Sequence, residues 1–312
     1  MKSEKASKLE KKLASLSAYA PLRTPVTLVS AVFVSMLISL CLANGIIPGP
    51  EIIVICFFIY SIYAARSRRF VNEWIPFVLV FLSYGSMNTL VGSLSKSVHV
   101  SQPINADLKL FGAVPTLVLQ QFYRSAFLDY LSMFFYSLHF VIPVVFAFLL
   151  WKYFPKNYRG YVLAFTIGTY AALMTYLLYP VAPPWYGINA IRVLTQLDKN
   201  LGVPFYRSIF DFVGSNPFAA FPSLHAMYPW LISLYALKIG KAKALPVLIF
   251  PVGVWFSVVY LGEHYVIDII GAVIYATLAF LVAEKLVPLI VQKRSHSLTT
   301  KESFKQFENL PS

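Results

Sequence analysis

The sequence predicts an all-α fold, a polytopic membrane helix bundle with about eight transmembrane helices. Three observations carry that expectation. The chain of 312 residues is 58% hydrophobic and only 12% charged, with a mean hydropathy of +0.67, whereas soluble domains carry about 25% charged residues. Apolar runs of the length a helix needs to cross hydrocarbon, about 20 residues, recur along the chain. The lysines and arginines fall in the short segments between those runs, and they do so unevenly.

Taken in order, the runs predict helices at 25–47, 50–65, 74–94, 128–151, 160–179, 224–239, 244–262 and 265–290. The tail 1–24 is basic and polar, and no small-residue cleavage site follows the first run, so that run reads as a retained helix rather than a signal peptide. Cys41 and Cys56 fall inside the first two runs and read as apolar-facing thiols, with neither disulfide nor metal site expected. The second and sixth runs are short. Two long connections, 95–127 and 180–223, are expected to carry structure of their own or a function.

Charge placement predicts orientation. With eight spans, all but six of the 26 lysines and arginines lie on the face that holds both termini. The six are Lys96, Lys109, Arg124, Arg192, Lys199 and Arg207. The positive-inside rule then places the termini in the cytoplasm and both long connections outside. The net charge of +13 belongs to this topology, and no nucleic-acid partner is expected.

Two motifs lie at helix starts on the outward face. They are Phe221-Pro222-Ser223-Leu224-His225 and Gly262-Glu263-His264-Tyr265-Val266-Ile267-Asp268. Ionisable groups at the edge of a hydrocarbon slab are costly and are functional candidates by default. Residues four apart share a helix face, so Asp268 can accept from Nδ1–H of His264 and leave Nε2 free to attack. His225 can act as general acid, since imidazole titrates near neutrality. Ser223 and backbone N–H groups at the start of the sixth run can hold phosphoryl oxygens. A lone interfacial histidine is more often structural, and Asp268 alone could serve as a cap. Two histidines and a carboxylate on one face form a catalytic set instead. His139, in the fourth run, reads as a core group that can line the site. His99 and His296 read as incidental.

These motifs resemble the type 2 phosphatidic acid phosphatase (PAP2) superfamily, whose signatures include Pro-Ser-x-His and His-x-x-x-Asp elements. Tyr179-Pro180-Val181-Ala182-Pro183-Pro184-Trp185-Tyr186 looks like the Ala-Pro-Pro-Trp segment of the inositol phosphorylceramide synthase branch, an inositolphosphotransferase group. Phe111-Gly112 through Pro115, Leu119-Gln120 and His139-x-x-x-Pro143 are similar to that branch as well. The resemblance covers about residues 105–275. It implies a six-helix catalytic core within 71–290, preceded by two extra helices in 25–70 and followed by a polar cytoplasmic tail, 291–312. It implies a phosphohistidine on His264, with Asp268 as its partner and His225 as acid and then base. A Lys-x6-Arg-Pro element is missing, and Ser257-Val258 stands where the family has Ser-Arg. Phosphate-binding cations must therefore come from the outward set. Arg207 ranks first, then Arg192, then Arg124, each of which also reads as a loop charge or a headgroup anchor.

The resemblance implies an integral membrane lipid phosphatase or phosphotransferase, with its site outside the cytoplasm and no metal or other cofactor. Its partners are the bilayer, a lipid phosphate ester or phosphodiester, and a polar alcohol as acceptor in the case of headgroup transfer. A histidine-dependent transporter, a simple lipid-phosphate hydrolase and an inactive scaffold are the other readings. The transporter fits less well because no internal repeat is evident.

Overall fold

The computed structural model describes residues 73–77, 79–80, 83–84, 97–202, 206 and 216–308. The first two predicted helices, both cysteines, the N-terminal tail and Arg207 lie outside the described residues, and the third predicted helix is described only in part. The named elements are all helical. They are α1 (Ser101–Phe111), α2 (Pro115–Phe122), α3 (Ala126–Tyr153), α4 (Pro155–Leu178), α5 (Val193–Leu201), α6 (Leu224–Gly240), a 3-10 helix (Lys241–Leu248), α7 (Ile249–Tyr260) and α8 (Val266–Glu308). Among the described residues, three stretches are long and apolar enough to cross a membrane: Pro155–Leu178, Leu224–Tyr260 counted through its turn, and Val266–Leu286. The two halves of α3 make a fourth if their bend lies within one span.

α4 sits at the centre, packed on α8, α6 and α3. Buried residues occur all round it, as expected of a helix with no solvent-facing side. Its approach to α8 depends on small residues. Ala164, Gly168 and Ala172 lie at four-residue spacing, and Ala272, Ala276, Ala279 and Ala283 are buried on α8. A Cβ at Gly168 would stand 3.5 Å from that of Ala279 and 3.2 Å from the sulfur of Met227. In a bilayer, where lipid is as apolar as leucine, close backbone approach of this kind holds helices together.

Proline and caps set the ends. Ser125 and Ser223 begin α3 and α6, and their hydroxyls accept from the N–H groups of Leu128 and Ala226; a cap of this type contributes about 1 kcal/mol. Pro143 has no N–H for the carbonyl of His139 four residues earlier, and α3 bends by 43° between its halves Ala126–His139 and Ile142–Tyr153. Lys241, at φ 51°, stops α6. The chain reverses through the 3-10 helix, and both that helix and α7 pack back on α6.

The largest departures from the sequence expectation lie in the last two helices. The seventh run, expected as one helix over 244–262, is a 3-10 turn followed by a helix of 12 residues. Pro246 lies inside the 3-10 segment and cannot supply the N–H a regular helix needs there. The last helix continues to Glu308 through the predicted polar tail, whose Lys, Gln, Arg and Leu are good helix formers.

Both long connections carry short helices, as expected. α1 and α2 fill the first, while a turn at Pro184–Gly187 and α5 occupy the second. Three segments from different parts of the chain then pair backbone to backbone. His99 bridges Val181, and Val181 bridges Ala219, both in parallel. The N–H of His99 donates to Pro180, Ala182 to His99, Val181 to Phe218, and Ala220 to Val181.

Candidate active site

α6 and α8 both start at the same end of the bundle and bring the two motifs together. Nδ1 of His225 lies 3.1 Å from Nε2 of His264. Nδ1 of His264 faces two acceptors, the Ala220 carbonyl at 3.0 Å and Oδ2 of Asp268 at 3.4 Å. A nitrogen between two acceptors carries the proton, so Nε2 of His264 holds the lone pair and Nδ1 of His225 donates to it. The nearer acceptor is the backbone carbonyl.

Asp268 does two jobs. Besides facing His264, its Oδ2 accepts from the N–H of Tyr265 at 2.9 Å, closing the first turn of α8 as the acidic half of a capping box. The carboxyl is fully buried, and Oδ1 has no hydrogen-bond partner among the described residues. The next two N–H groups of the helix, Val266 and Ile267, donate to Oδ2 and Oδ1 of Asp107, both at 3.0 Å. Asp107 is buried in α1. Burial raises its carboxyl above the ordinary range, partly offset by those two backbone bonds.

The ring of His225 is walled by aromatic faces. Tyr136 stacks on it at 4.6 Å, and the His139 ring lies 4.0 Å away. His139 thus lines the site, with Nδ1 on the Tyr136 carbonyl at 2.5 Å. Ser223 is buried as the cap of α6, and its N–H donates to the Asp268 carbonyl at 3.2 Å, tying the two motifs through the backbone. Pro222, just before it, accepts from the Tyr176 hydroxyl at 2.5 Å.

The candidate cations separate. Arg192 grips Glu263, the residue before His264, through Nε at 2.8 Å and a second nitrogen at 3.3 Å. Its guanidinium lies 4.6 Å over the Trp185 ring. Burial pulls Arg192 down, but the paired carboxylate outweighs it and holds the guanidinium above its usual pKa. Arg124 sits at the start of α3, bonded to Gln196 and 3.6 Å from Asp129, which accepts from the Tyr260 hydroxyl. Both of these contacts lead away from the two histidines.

Gln120, on α2, binds the same neighbourhood. Its Nε2 donates to the carbonyls of Ile191 at 2.8 Å and Tyr260 at 2.9 Å, and its Oε1 accepts from the N–H of Ile191 at 2.9 Å. Gly262 has φ 81°, and a Cβ there would meet the Ile191 carbonyl at 2.7 Å, so only glycine fits beside this amide. The motif reading missed Glu263, Ala220, Tyr136 and Asp107. For Asp107 the sequence holds one signal: it is the sole acid in 101–111.

Residues 104–282, more than half of the chain, match the PAP2 superfamily. The chain belongs to the PAP2 superfamily. It is similar to the phosphoinositol dihydroceramide synthase of Bacteroides thetaiotaomicron, at 29% identity over 239 residues, covering 70% of this chain and 78% of that one. The inositol phosphorylceramide synthase of Candida albicans is 28% identical over 156 residues, 46% of this chain and 33% of its own. The inositol phosphorylceramide synthase catalytic subunit of Schizosaccharomyces pombe is 27% identical over 237 residues, 70% of this chain and 50% of its own. No solved structure matches. The PAP2 member described here is an integral membrane enzyme, a lipid phosphatase or phosphotransferase.

Proposed function

We propose that this PAP2 enzyme transfers a phosphorylated polyol headgroup from a lipid phosphodiester to a lipid hydroxyl, through a phosphohistidine on His264. The observation that carries the proposal is the polar chain Asp268 and Ala220 to His264 to His225, which leaves one lone pair directed at one N–H. The relatives named as phosphoinositol dihydroceramide synthase and inositol phosphorylceramide synthase favour transfer over hydrolysis.

In the first half-reaction, Nε2 of His264 attacks phosphorus while the bond to the leaving lipid oxygen breaks. His225 enters this step as the imidazolium, gives that oxygen a proton and is left neutral. Asp268 and the Ala220 carbonyl hold the imidazolium that forms. In the second half, the acceptor hydroxyl gives its proton to His225 as its oxygen attacks. The P–N bond breaks and His264 regains its lone pair. Arg192, joined to the residue before the nucleophile, is the cation best supported for the phosphoryl oxygens. Arg124 and Arg207 stand behind it. The first turn of α6 supplies N–H groups beside Ser223.

The chain crosses the membrane eight times in this proposal, with both termini cytoplasmic and the histidines outside. Asn200→Cys, at an exposed position on α5, should then react with an impermeant thiol reagent on intact cells. Labelling only after lysis would reverse the orientation. The test of activity is an assay of purified protein with phosphatidylinositol and other glycerophospholipids, with and without ceramide-type acceptors. Acceptor-dependent release of diacylglycerol is expected. Release of diacylglycerol and free headgroup phosphate at a rate indifferent to acceptor would make the enzyme a hydrolase.

A further inference from the structure

The turn that carries His264 joins α7 to α8, and its two ends are held by the two short helices α1 and α2. On one side, the Gln120 amide takes the last carbonyl of α7, that of Tyr260, while also bonding both backbone groups of Ile191. On the other, Asp107 takes the first two free N–H groups of α8, Val266 and Ile267, across about 160 residues of chain. Their hydrogen bonds reach neither histidine, yet between them they hold the last carbonyl of α7 and the first N–H groups of α8.

We propose that the α1–α2 segment is a positioning clamp for the nucleophile, with Asp107 and Gln120 setting His264 from opposite ends of its turn. The proposal rests on the reading of His264 as the attacking group. The chemistry suits the task. A carboxylate with two oxygens matches two adjacent N–H groups, and a primary amide can donate and accept at once. A helix end buried without partners would be free to fray or unwind, carrying His264 away from His225. A shift near 1 Å in a reacting atom costs about 100-fold in rate, so the clamp acts on the chemical step more than on binding.

The experiment measures turnover and amide hydrogen exchange in the full-length protein for Asp107→Ala, Asp107→Asn and Gln120→Ala. Asp198→Asn serves as the control, because Asp198 is also buried and accepts the N–H of Tyr206 at 2.9 Å, outside the turn. Asp107→Ala and Gln120→Ala should each lower kcat at least about tenfold, with KM changed less than about twofold. Exchange should quicken across residues 261–268. Asp107→Asn keeps one acceptor and should fall between wild type and Asp107→Ala, while the control keeps both kcat and exchange in the turn. Unchanged exchange at Val266 and Ile267 in Asp107→Ala would overturn the clamp. Faster exchange with kcat retained would overturn it too. If wild type turns over no lipid while exchange still responds as expected, the clamp is supported and the transferase reading fails.

Discussion

His264 sits in a turn where both ring nitrogens meet fixed polar atoms, whereas His225, in the first turn of α6, stands among ring faces. Hydrogen bonds define a tautomer and a direction. Stacking fixes the plane of a ring but leaves its proton count open. The difference matches two chemical roles: a nucleophile must present one lone pair along one line, and an acid that later becomes a base must change protonation without moving.

The sharpest way to break this comparison is to exchange the losses. His264→Asn should lower kcat by at least about 10⁴-fold in a protein that still folds, and an alkaline-quenched digest should lose the phosphorylated peptide containing position 264. His225→Gln should cost about 10²–10⁴-fold with an alkyl leaving group. A nitrophenyl leaving group, which needs no proton, should restore the first half-reaction in His225→Gln and give a burst of about one equivalent. No such rescue is expected for His264→Asn. Rescue of both variants, or of neither, would merge the two roles. Asp268→Asn should cost less, on the order of 100-fold, because the Ala220 carbonyl still accepts from Nδ1. The smallest effect is expected from His139→Phe, which keeps a ring against His225 and should stay within about threefold in kcat. A loss as large as that of His225→Gln would promote His139 from wall to participant.

The helical membrane class was legible because hydrocarbon imposes a length on apolar runs that survives in one dimension. The His264–Asp268 pair was legible for a similar reason, since four residues make one helical turn. The carbonyl closest to Nδ1 was not, because Ala220 has no side chain to advertise it and stands 44 residues from its partner. Asp107 and Gln120 act across 160 and 140 residues, where no local period can point to them. Arg192 was named as an outward-face cation after the Pro-rich segment, but its grip on Glu263 was not legible, because it depends on how the Pro183-Pro184 turn meets Gly262, where the N–H of Trp185 donates to the Gly262 carbonyl. The 3-10 segment escaped a reading by apolar runs because Pro246 changes helix type without changing hydropathy.

The three paired backbone segments have a consequence for how this protein can vary. The Ala220 peptide donates to Val181 and accepts from His264, and Val181 lies beside His99. A change of length around 97–100, 180–182 or 216–220 would therefore reach the imidazole through at most three hydrogen bonds. Added residues are usually absorbed by connecting loops at little expense, but here those stretches are stitched to the reacting ring. Insertions and deletions should be tolerated at a place such as Gly202, where a side chain would meet open space, and resisted along the seam.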